Sequence, residues 1–225
     1  MKIYAHRGAH QAHTEMSLPA YQEAIRQGVD GFECDVRLTS DLELICWHDA
    51  DTLRITGEKK VIANTTLANL NFATPLRLEE LLQLAISAKK DLLIETKHPV
   101  VSGGLVEKLT LQLLFSYEKE IAASGIEISL MSFSWRAMQR CKETGINTVF
   151  LFKNKFLSSY AMTPTIGPSI ELIRKNPEIV LHAHNEGKSV FVWCVNSIAD
   201  LELVARLGVD FIATDNAVQA RSVLG

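Results

Sequence analysis

The chain has 225 residues, of which 47% are hydrophobic and 22% are charged, and its formal net charge is −3. This composition excludes a disordered or fibrous chain and favours one globular domain with a buried core, which we expect to span residues 1–225. With 23 basic against 26 acidic residues, the chain lacks the excess of positive charge that binding a polyanion requires, which excludes nucleic acid as a main partner.

The N-terminus enters a strand-like run at Ile3, which leaves no room for a secretory signal sequence. We therefore expect a cytoplasmic protein. No apolar stretch approaches the roughly 20 residues that a membrane-spanning helix needs, so we expect no stable membrane insertion.

Strand-like and helix-like segments alternate along the chain. Four junctions between them share a motif in which a glycine, a β-branched residue and a polar residue precede an apolar run, as at Gly28-Val29-Asp30 and Gly208-Val209-Asp210. Glycine just past a helix end adopts the left-handed conformation, and the apolar run that follows suits a strand buried on both faces. The alternation predicts an α/β fold, a (β/α)₈ TIM-type barrel. The predicted strands lie at about 3–6, 31–36, 91–96, 127–132, 148–152, 165–169, 190–195 and 210–214, and the predicted helices at about 18–27, 78–89, 103–123, 135–144, 176–186, 197–207 and 216–223, whereas 154–161 is poorly helical.

One segment breaks the alternation after the second strand. Residues 42–47 also resemble a strand but follow too closely for a crossover helix, which excludes parallel pairing. We therefore predict a β-hairpin within a short insertion at about 37–77. A tight turn at Ser40-Asp41 places His48 opposite Glu33 across this hairpin.

Acidic side chains occur where two predicted strands end. Glu33 and Asp35 are two residues apart and share one face of a strand, and Glu95 ends the next barrel strand. Three oxygen donors at one barrel mouth suit one divalent cation, Mg²⁺ or Ca²⁺, whereas zinc or iron favours histidine or cysteine. The alternative is a salt bridge to a nearby cation such as Arg37. Lys97, on the face of Glu95, either binds an anionic oxygen or neutralises the acids.

Two histidines are predicted at the same rim. His6 ends the first strand, and the hairpin brings His48 beside it. Next to a cation, two imidazoles provide a general base and a general acid, which suits phosphodiester cleavage. Arg7 offers a bidentate fork for a phosphate group. Trp193 ends the seventh strand and either packs in the barrel or forms a wall of the substrate site.

These motifs together resemble a known family, the glycerophosphodiester phosphodiesterases. The matching blocks occur in order over nearly the whole chain: His6-Arg7-Gly8, Glu33-x-Asp35, His48-Asp49, Glu95-Thr96-Lys97, Ser132-Phe133, Trp193-Cys194-Val195-Asn196 and Thr214-Asp215. The resemblance implies hydrolysis of small-molecule glycerophosphodiesters to glycerol 3-phosphate and an alcohol, with magnesium or calcium. It implies that His6 and His48 are the acid/base pair, that Glu33, Asp35 and Glu95 hold the metal, and that Arg7 and Lys97 contact the phosphate.

One block departs from the family pattern. Where the family has Pro-Glu-Asn-Thr, this chain has Thr14-Glu15-Met16-Ser17, which keeps the acid and loses the asparagine. We place Glu15 and Trp193 with Arg7 and Lys97 among the predicted substrate-binding residues. Two other functions stay open: a lyase like the sphingomyelinase D enzymes, which releases cyclic phosphates, and a non-catalytic phosphodiester-binding barrel.

Overall fold

Eight parallel strands close into a barrel in the computed structural model of the chain, which describes residues 1–225 except for the side chains of Ser159 and Tyr160. The strands in chain order are β1 (Lys2–His6), β2 (Gly31–Leu38), β3 (Leu44–Cys46), β4 (Asp91–Thr96), β5 (Ile128–Ser132), β6 (Asn147–Phe152), β7 (Thr165–Pro168), β8 (Ser189–Val192) and β9 (Phe211–Thr214). β1 closes the barrel because it pairs with β2 on one side and with β9 on the other. β3 lies outside the ring and pairs antiparallel with β2. The prediction of a (β/α)₈ barrel is confirmed.

Helices fill the connections between the strands. They are α1 (Leu18–Arg26), α2 (Leu53–Thr56), α3 (Leu78–Ala88), α4 (Leu105–Ser116), α5 (Glu118–Ser124), α6 (Trp135–Cys141), α7 (Ile170–Lys175), α8 (Glu178–Asn185), α9 (Ile198–Leu207) and α10 (Ala217–Leu224), with 3₁₀ segments at Ile62–Asn64, Leu67–Ala73 and Lys155–Tyr160. None of the helices so described has the length and apolar character to cross a membrane.

Two helical regions differ from the sequence-based expectation. The helix predicted over 103–123 divides at Tyr117, whose backbone (φ −107°, ψ 14°) ends α4. The Tyr117 hydroxyl donates to Glu79 Oε1 at 2.7 Å and accepts from Gln83 Nε2 at 2.7 Å, which holds the break against α3. The structure also adds α7 before α8, beginning where the Ser169 side chain accepts a hydrogen bond from a backbone N–H.

Three of the four glycine junctions end a helix as predicted, whereas α6 ends four residues before Gly145. Gly28 and Gly208 both have positive φ, 74° and 73°, and each follows a barrel helix. The aspartate two residues later binds the backbone of the neighbouring strand: Asp30 Oδ2 accepts from the N–H of Ile3, and Asp210 Oδ2 accepts from that of Val190, both at 2.7 Å. The repeated motif therefore both stops a helix and fixes the start of a strand.

The predicted hairpin is present, but its register is shifted by one residue. Cys46 lies opposite Val36, and a continuation of this pairing sets His48 opposite Cys34. The prediction that register places His48 opposite Glu33 is therefore wrong. The ladder ends before His48, so the position of this histidine depends on contacts beyond the hairpin.

The turn explains the shift. Its loop has three residues, 40–42, because Leu42 adopts the left-handed conformation with φ of 65°. Thr39 stabilises it through one side-chain oxygen, which accepts from the N–H of Glu43 at 3.0 Å and donates to Asp41 Oδ1 at 2.6 Å. The added residue moves every pair along by one position.

Two apolar clusters support the mouth of the barrel. Inward-facing side chains fill the barrel below the mouth: Tyr4, Leu93, Met131, Val149, Leu151, Phe191 and Ala213. The insertion has its own small core, formed by Ile45, Trp47, Ile62, Leu70 and Ala73. The residues that follow the barrel strands are thus held on a packed base.

We expect the buried carboxylate of Asp200 to make stability depend on pH. It accepts two hydrogen bonds of 2.6 Å from Arg174, which joins α9 to α7, and these contacts hold its pKa below the usual range. The pKa of Asp200 is lower in the folded state than in the unfolded state, where it is about 4, so the ionised carboxylate stabilises the fold above pH 4. This stabilisation is lost as the pH falls from 4 through the folded-state pKa. Asp200→Asn should lower the free energy of unfolding at pH 7 by about 1–2 kcal/mol, measured by urea denaturation, with a smaller difference at pH 3.

Glu23→Gln is the matched control, because the partly exposed Glu23 pairs with the exposed Arg26 of its own helix. It should leave the free energy of unfolding nearly unchanged at both pH values. A loss at Asp200 that is equal at pH 7 and pH 3 would argue against the role of its charge.

Candidate active site

A cavity of about 240 Å³ opens at the carboxyl ends of the barrel strands. Seven of the nine predicted site residues line it, and the other two, Asp35 and Glu15, contact the lining residue Arg7. Among its lining residues are His6, Arg7, Glu33, His48, Glu95, Lys97, Phe133, Lys153, Trp193 and Cys194. The structure therefore brings together side chains that are far apart in the sequence, at the end of the barrel where TIM-barrel enzymes have their active sites.

Three buried carboxylates form the acidic side of this cavity. Glu33 and Asp35 project from β2, and parallel pairing with β4 sets Asp35 beside Glu95. The exposed fractions of these three residues are 3%, 1% and 8%. Each offers an oxygen within 4.8 Å of the other two, a spacing that could hold a metal ion.

Lys97 and Arg7 supply the positive charge next to the acids. Lys97 Nζ lies 3.0 Å from Asp35 Oδ1 and 2.8 Å from Glu95 Oε1. Arg7 Nε lies 3.1 Å from Asp35 Oδ2, and the backbone N–H of Arg7 donates to Glu33 Oε2 at 3.0 Å. Arg7 holds this position with a positive φ of 56°, which is uncommon for a residue with a side chain.

Arg37, the salt-bridge partner considered from the sequence, makes a different contact. Its guanidinium donates two hydrogen bonds to the backbone carbonyl of His48, at 3.0 and 2.8 Å. Arg37 therefore positions the segment that follows the hairpin, and Lys97 contacts the acids in its place.

The acidic group has more negative charge than its neighbours balance. Burial and the charge of Asp35 raise the pKa of Glu95 to about 7, and the same two causes raise the pKa of Glu33 well above its usual range. Burial opposes ionisation of Asp35 as well, but Lys97 and Arg7 outweigh it and lower the pKa of Asp35. Asp35 Oδ2 is moreover a buried oxygen that lies 3.1 Å from Arg7 Nε without hydrogen-bond geometry, so it accepts no hydrogen bond among the described residues. These features suit a site that binds a further cation.

His6 is held by an aspartate that the site prediction did not include. His6 Nδ1 donates to Asp215 Oδ1 at 2.7 Å, and His10 Nε2 donates to the same oxygen at 3.1 Å. Asn196 Nδ2 donates to the other oxygen at 2.6 Å. Burial opposes the ionisation of Asp215, but these hydrogen bonds lower its pKa far below the usual range. Two signals in the sequence could have indicated its place at the site: its position directly after β9 and the Thr214-Asp215 block that matches the family.

His48 is held by a second chain of contacts. Its Nδ1 donates to Asp49 Oδ1 at 2.7 Å, and Arg54 Nε donates to the other oxygen of Asp49 at 2.5 Å. Burial lowers the pKa of His48, although the charge of Asp35 opposes this effect. Both histidines thus direct Nδ1 toward an aspartate, which leaves Nε2 for another partner.

Glu15 lies next to two arginines and outside the group of three acids. Arg54 donates to its two carboxylate oxygens at 2.9 and 2.5 Å, and Arg7 Nη1 lies 3.4 Å from one of them. Burial alone would raise the pKa of Glu15, but the contacts with Arg54 and Arg7 outweigh this effect and lower it. Glu15 therefore connects the contacts of His48 to the guanidinium of Arg7.

Two aromatic rings form another part of the cavity wall. Trp193 donates from Nε1 to the carbonyl of Gly167 at 2.8 Å, and Phe133 meets its ring edge to face with centroids 5.4 Å apart. Trp193 also packs against the apolar cluster inside the barrel. The two roles considered for Trp193, packing and cavity wall, therefore occur together.

A TIM-type barrel with buried acids and two aspartate-bound histidines at its mouth has the arrangement of a hydrolase, and comparison with known proteins gives the family. The model of the "Glycerophosphoryl diester phosphodiesterase family" matches residues 6–219. A Mycobacterium tuberculosis protein named "Probable glycerophosphodiester phosphodiesterase 1" is 32% identical over 99% of this chain and 92% of its own length. This chain belongs to the glycerophosphoryl diester phosphodiesterase family, whose members are phosphoric diester hydrolases. The resemblance drawn from the motifs is confirmed.

Solved structures share the fold. A glycerophosphodiester phosphodiesterase from Thermotoga maritima has a TM-score of 0.84 at 18% identity and covers 99% of this chain and 98% of its own. A phosphodiesterase from Oleispira antarctica, in complex with the product sn-glycerol-3-phosphate, has a TM-score of 0.79 at 17% identity, with 100% and 96% covered.

Lys97→Met should destabilise the protein in the presence of a chelator. The substitution leaves the carboxylates of Asp35 and Glu95 buried without their shared cation, and we expect a loss of about 3 kcal/mol in the free energy of unfolding. Urea denaturation followed by circular dichroism measures this loss. Lys155→Met is the matched control, because Lys155 pairs with Glu178 at the surface. Equal effects of the two substitutions would contradict the neutralising role of Lys97.

Proposed function

We propose that this chain hydrolyses glycerophosphodiesters to glycerol 3-phosphate and an alcohol, using one divalent cation and two histidines. The observation that carries the proposal is the convergence of three buried carboxylates and two aspartate-bound imidazoles on one cavity. Family membership supports the substrate class. The product complex of the Oleispira antarctica enzyme supports the release of glycerol 3-phosphate from a site on this fold.

The donor set fits Mg²⁺ or Ca²⁺, because all three side chains offer carboxylate oxygens. Glu33, Asp35 and Glu95 would hold the ion, and a binding site is supported because these three carboxylates outnumber the two cations, Lys97 and Arg7, that contact them. When bound, the ion supplies positive charge that stabilises the negative charge developing on the phosphate oxygens.

Arg7 and Lys97 bind and orient the phosphate group in this proposal. Both line the cavity, and both already contact Asp35, so their positive charges are held in place before the substrate arrives. A guanidinium can bind two phosphate oxygens at once, whereas an ammonium acts as a point charge. Their fixed positions reduce the reorganisation needed when the transition state forms.

The histidines transfer the protons. With Nδ1 bound to an aspartate, the neutral ring of His6 or His48 has a lone pair at Nε2. One imidazole accepts a proton from the nucleophile, which is water or a glycerol hydroxyl of the substrate, as the new P–O bond forms. Attack by the hydroxyl gives a cyclic phosphate first, and water then opens this ring to glycerol 3-phosphate. The other, protonated, donates its proton to the alcohol oxygen as the old P–O bond breaks.

Removal of divalent cations should abolish activity. We expect chelation to lower the release of glycerol 3-phosphate from a panel of glycerophosphodiesters at least about 100-fold, with recovery on addition of Mg²⁺ or Ca²⁺. Enzymatic detection of glycerol 3-phosphate measures the rate. Full activity after complete chelation, or no turnover of any panel member, would contradict the proposal.

Phosphorus NMR of the products separates the proposed hydrolase from the two alternative functions. A cyclic phosphate as the final product indicates a lyase, and ligand binding without any product indicates a non-catalytic binding protein.

His6→Gln and His48→Gln should each lower kcat by about 10²–10⁴-fold, because each removes one proton-transfer group. Both variants should keep the increase in melting temperature that a divalent cation causes, since neither residue belongs to the acidic group. Glu33→Gln should lose this increase. A histidine variant with nearly full kcat would exclude that residue from proton transfer.

A further inference from the structure

Lys153 lies across the barrel mouth from Arg7, one of the two groups assigned to the phosphate. It directly follows β6, and β6 is four strands from β1 in the ring of eight, so the two strands face each other across the barrel. His6 ends β1, and Arg7 follows it. A diester whose phosphate contacts Arg7 can therefore extend one of its two alcohol halves across the cavity to Lys153.

The Lys153 ammonium rests on the aromatic wall. Its Nζ lies 5.4 Å from the ring centroid of Trp193 and 5.9 Å from that of Phe133. Lys97 and Lys155 both contact carboxylates, whereas Lys153 forms no ion pair among the residues that the structure describes. The wall thus carries a positive charge that no acidic side chain in the described part of the structure neutralises.

This arrangement opposes the binding of a second cation at the same place. Aromatic faces such as those of Trp193 and Phe133 would otherwise attract a quaternary ammonium group. Here a lysine occupies them, and like charges repel. Hydroxyl and carboxylate groups, in contrast, accept hydrogen bonds from an ammonium group.

We infer that Lys153, seated on Phe133 and Trp193, selects the alcohol half of the substrate and favours diesters of neutral polyols or anionic alcohols over diesters of cationic alcohols. The inference rests on the proposed hydrolysis of glycerophosphodiesters. The glycerol half is uncharged and common to all these substrates. The charge of Lys153 therefore distinguishes one substrate from another only by its interaction with the other alcohol. Glycerophosphoglycerol is the favoured type of substrate, and glycerophosphocholine is the disfavoured type.

The test compares kcat/KM for glycerophosphoglycerol and glycerophosphocholine in the metal-loaded enzyme. Lys153→Met should lower the ratio of the two values about fivefold, chiefly through a lower KM for the choline diester, since a charge pair in a partly exposed cavity has a modest effect. Lys153→Arg keeps the charge and should keep the ratio. The ratio of the unmodified enzyme should also fall with added salt.

Lys155→Met is the control, because Lys155 lies two residues further on and pairs with Glu178 outside the cavity. It should leave both kcat/KM values unchanged. An unchanged ratio in Lys153→Met overturns the inference, as does an equal loss with both substrates, which would indicate a phosphate contact. If the unmodified enzyme hydrolyses neither these diesters nor any other, the proposed function itself fails, and this outcome is distinct from turnover with an unaltered ratio.

Discussion

The mutual repulsion of carboxylates at the ends of two adjacent strands is the constraint around which this barrel mouth is built. The parallel register of β2 and β4 sets Asp35 directly beside Glu95, and both are buried. Such a pair persists only when positive charge lies beside it. Lys97 follows β4 and Arg7 follows β1, so the loops after these strands serve to place cations against the acids. The positive φ of Arg7 belongs to the same arrangement.

Much of the fold and part of the site could be predicted because the signals are local. The glycine junctions mark helix ends within a few residues, and their repetition indicates a closed α/β barrel. The alternation along a strand likewise puts Glu33 and Asp35 on one face without knowledge of any distant contact. The parallel strands of a barrel end at the same rim, which also brings Glu95 to these two acids. The acidic side of the cavity can therefore be predicted from the sequence.

The remaining features depend on contacts between distant parts of the chain. The hairpin register depends on the left-handed conformation of Leu42, which lengthens the turn to three residues. Leucine rarely adopts this conformation, so the sequence favours a two-residue turn and predicts the wrong register. Asp215 binds His6 from 209 positions away, and Arg54 binds Glu15 from 39. No periodicity or spacing encodes such pairs. They follow from the closure of the barrel and from the packing of the insertion.

The two histidines are held by different parts of the chain. His6 and Asp215 belong to the barrel itself, whereas His48, Asp49 and Arg54 all belong to the hairpin insertion. Exchange of this insertion between relatives therefore alters the surroundings of one imidazole and leaves the other, together with the acids, intact. The surroundings of the two imidazoles proposed for proton transfer can therefore change separately, and Glu15 is a contact through which a change in the insertion reaches Arg7.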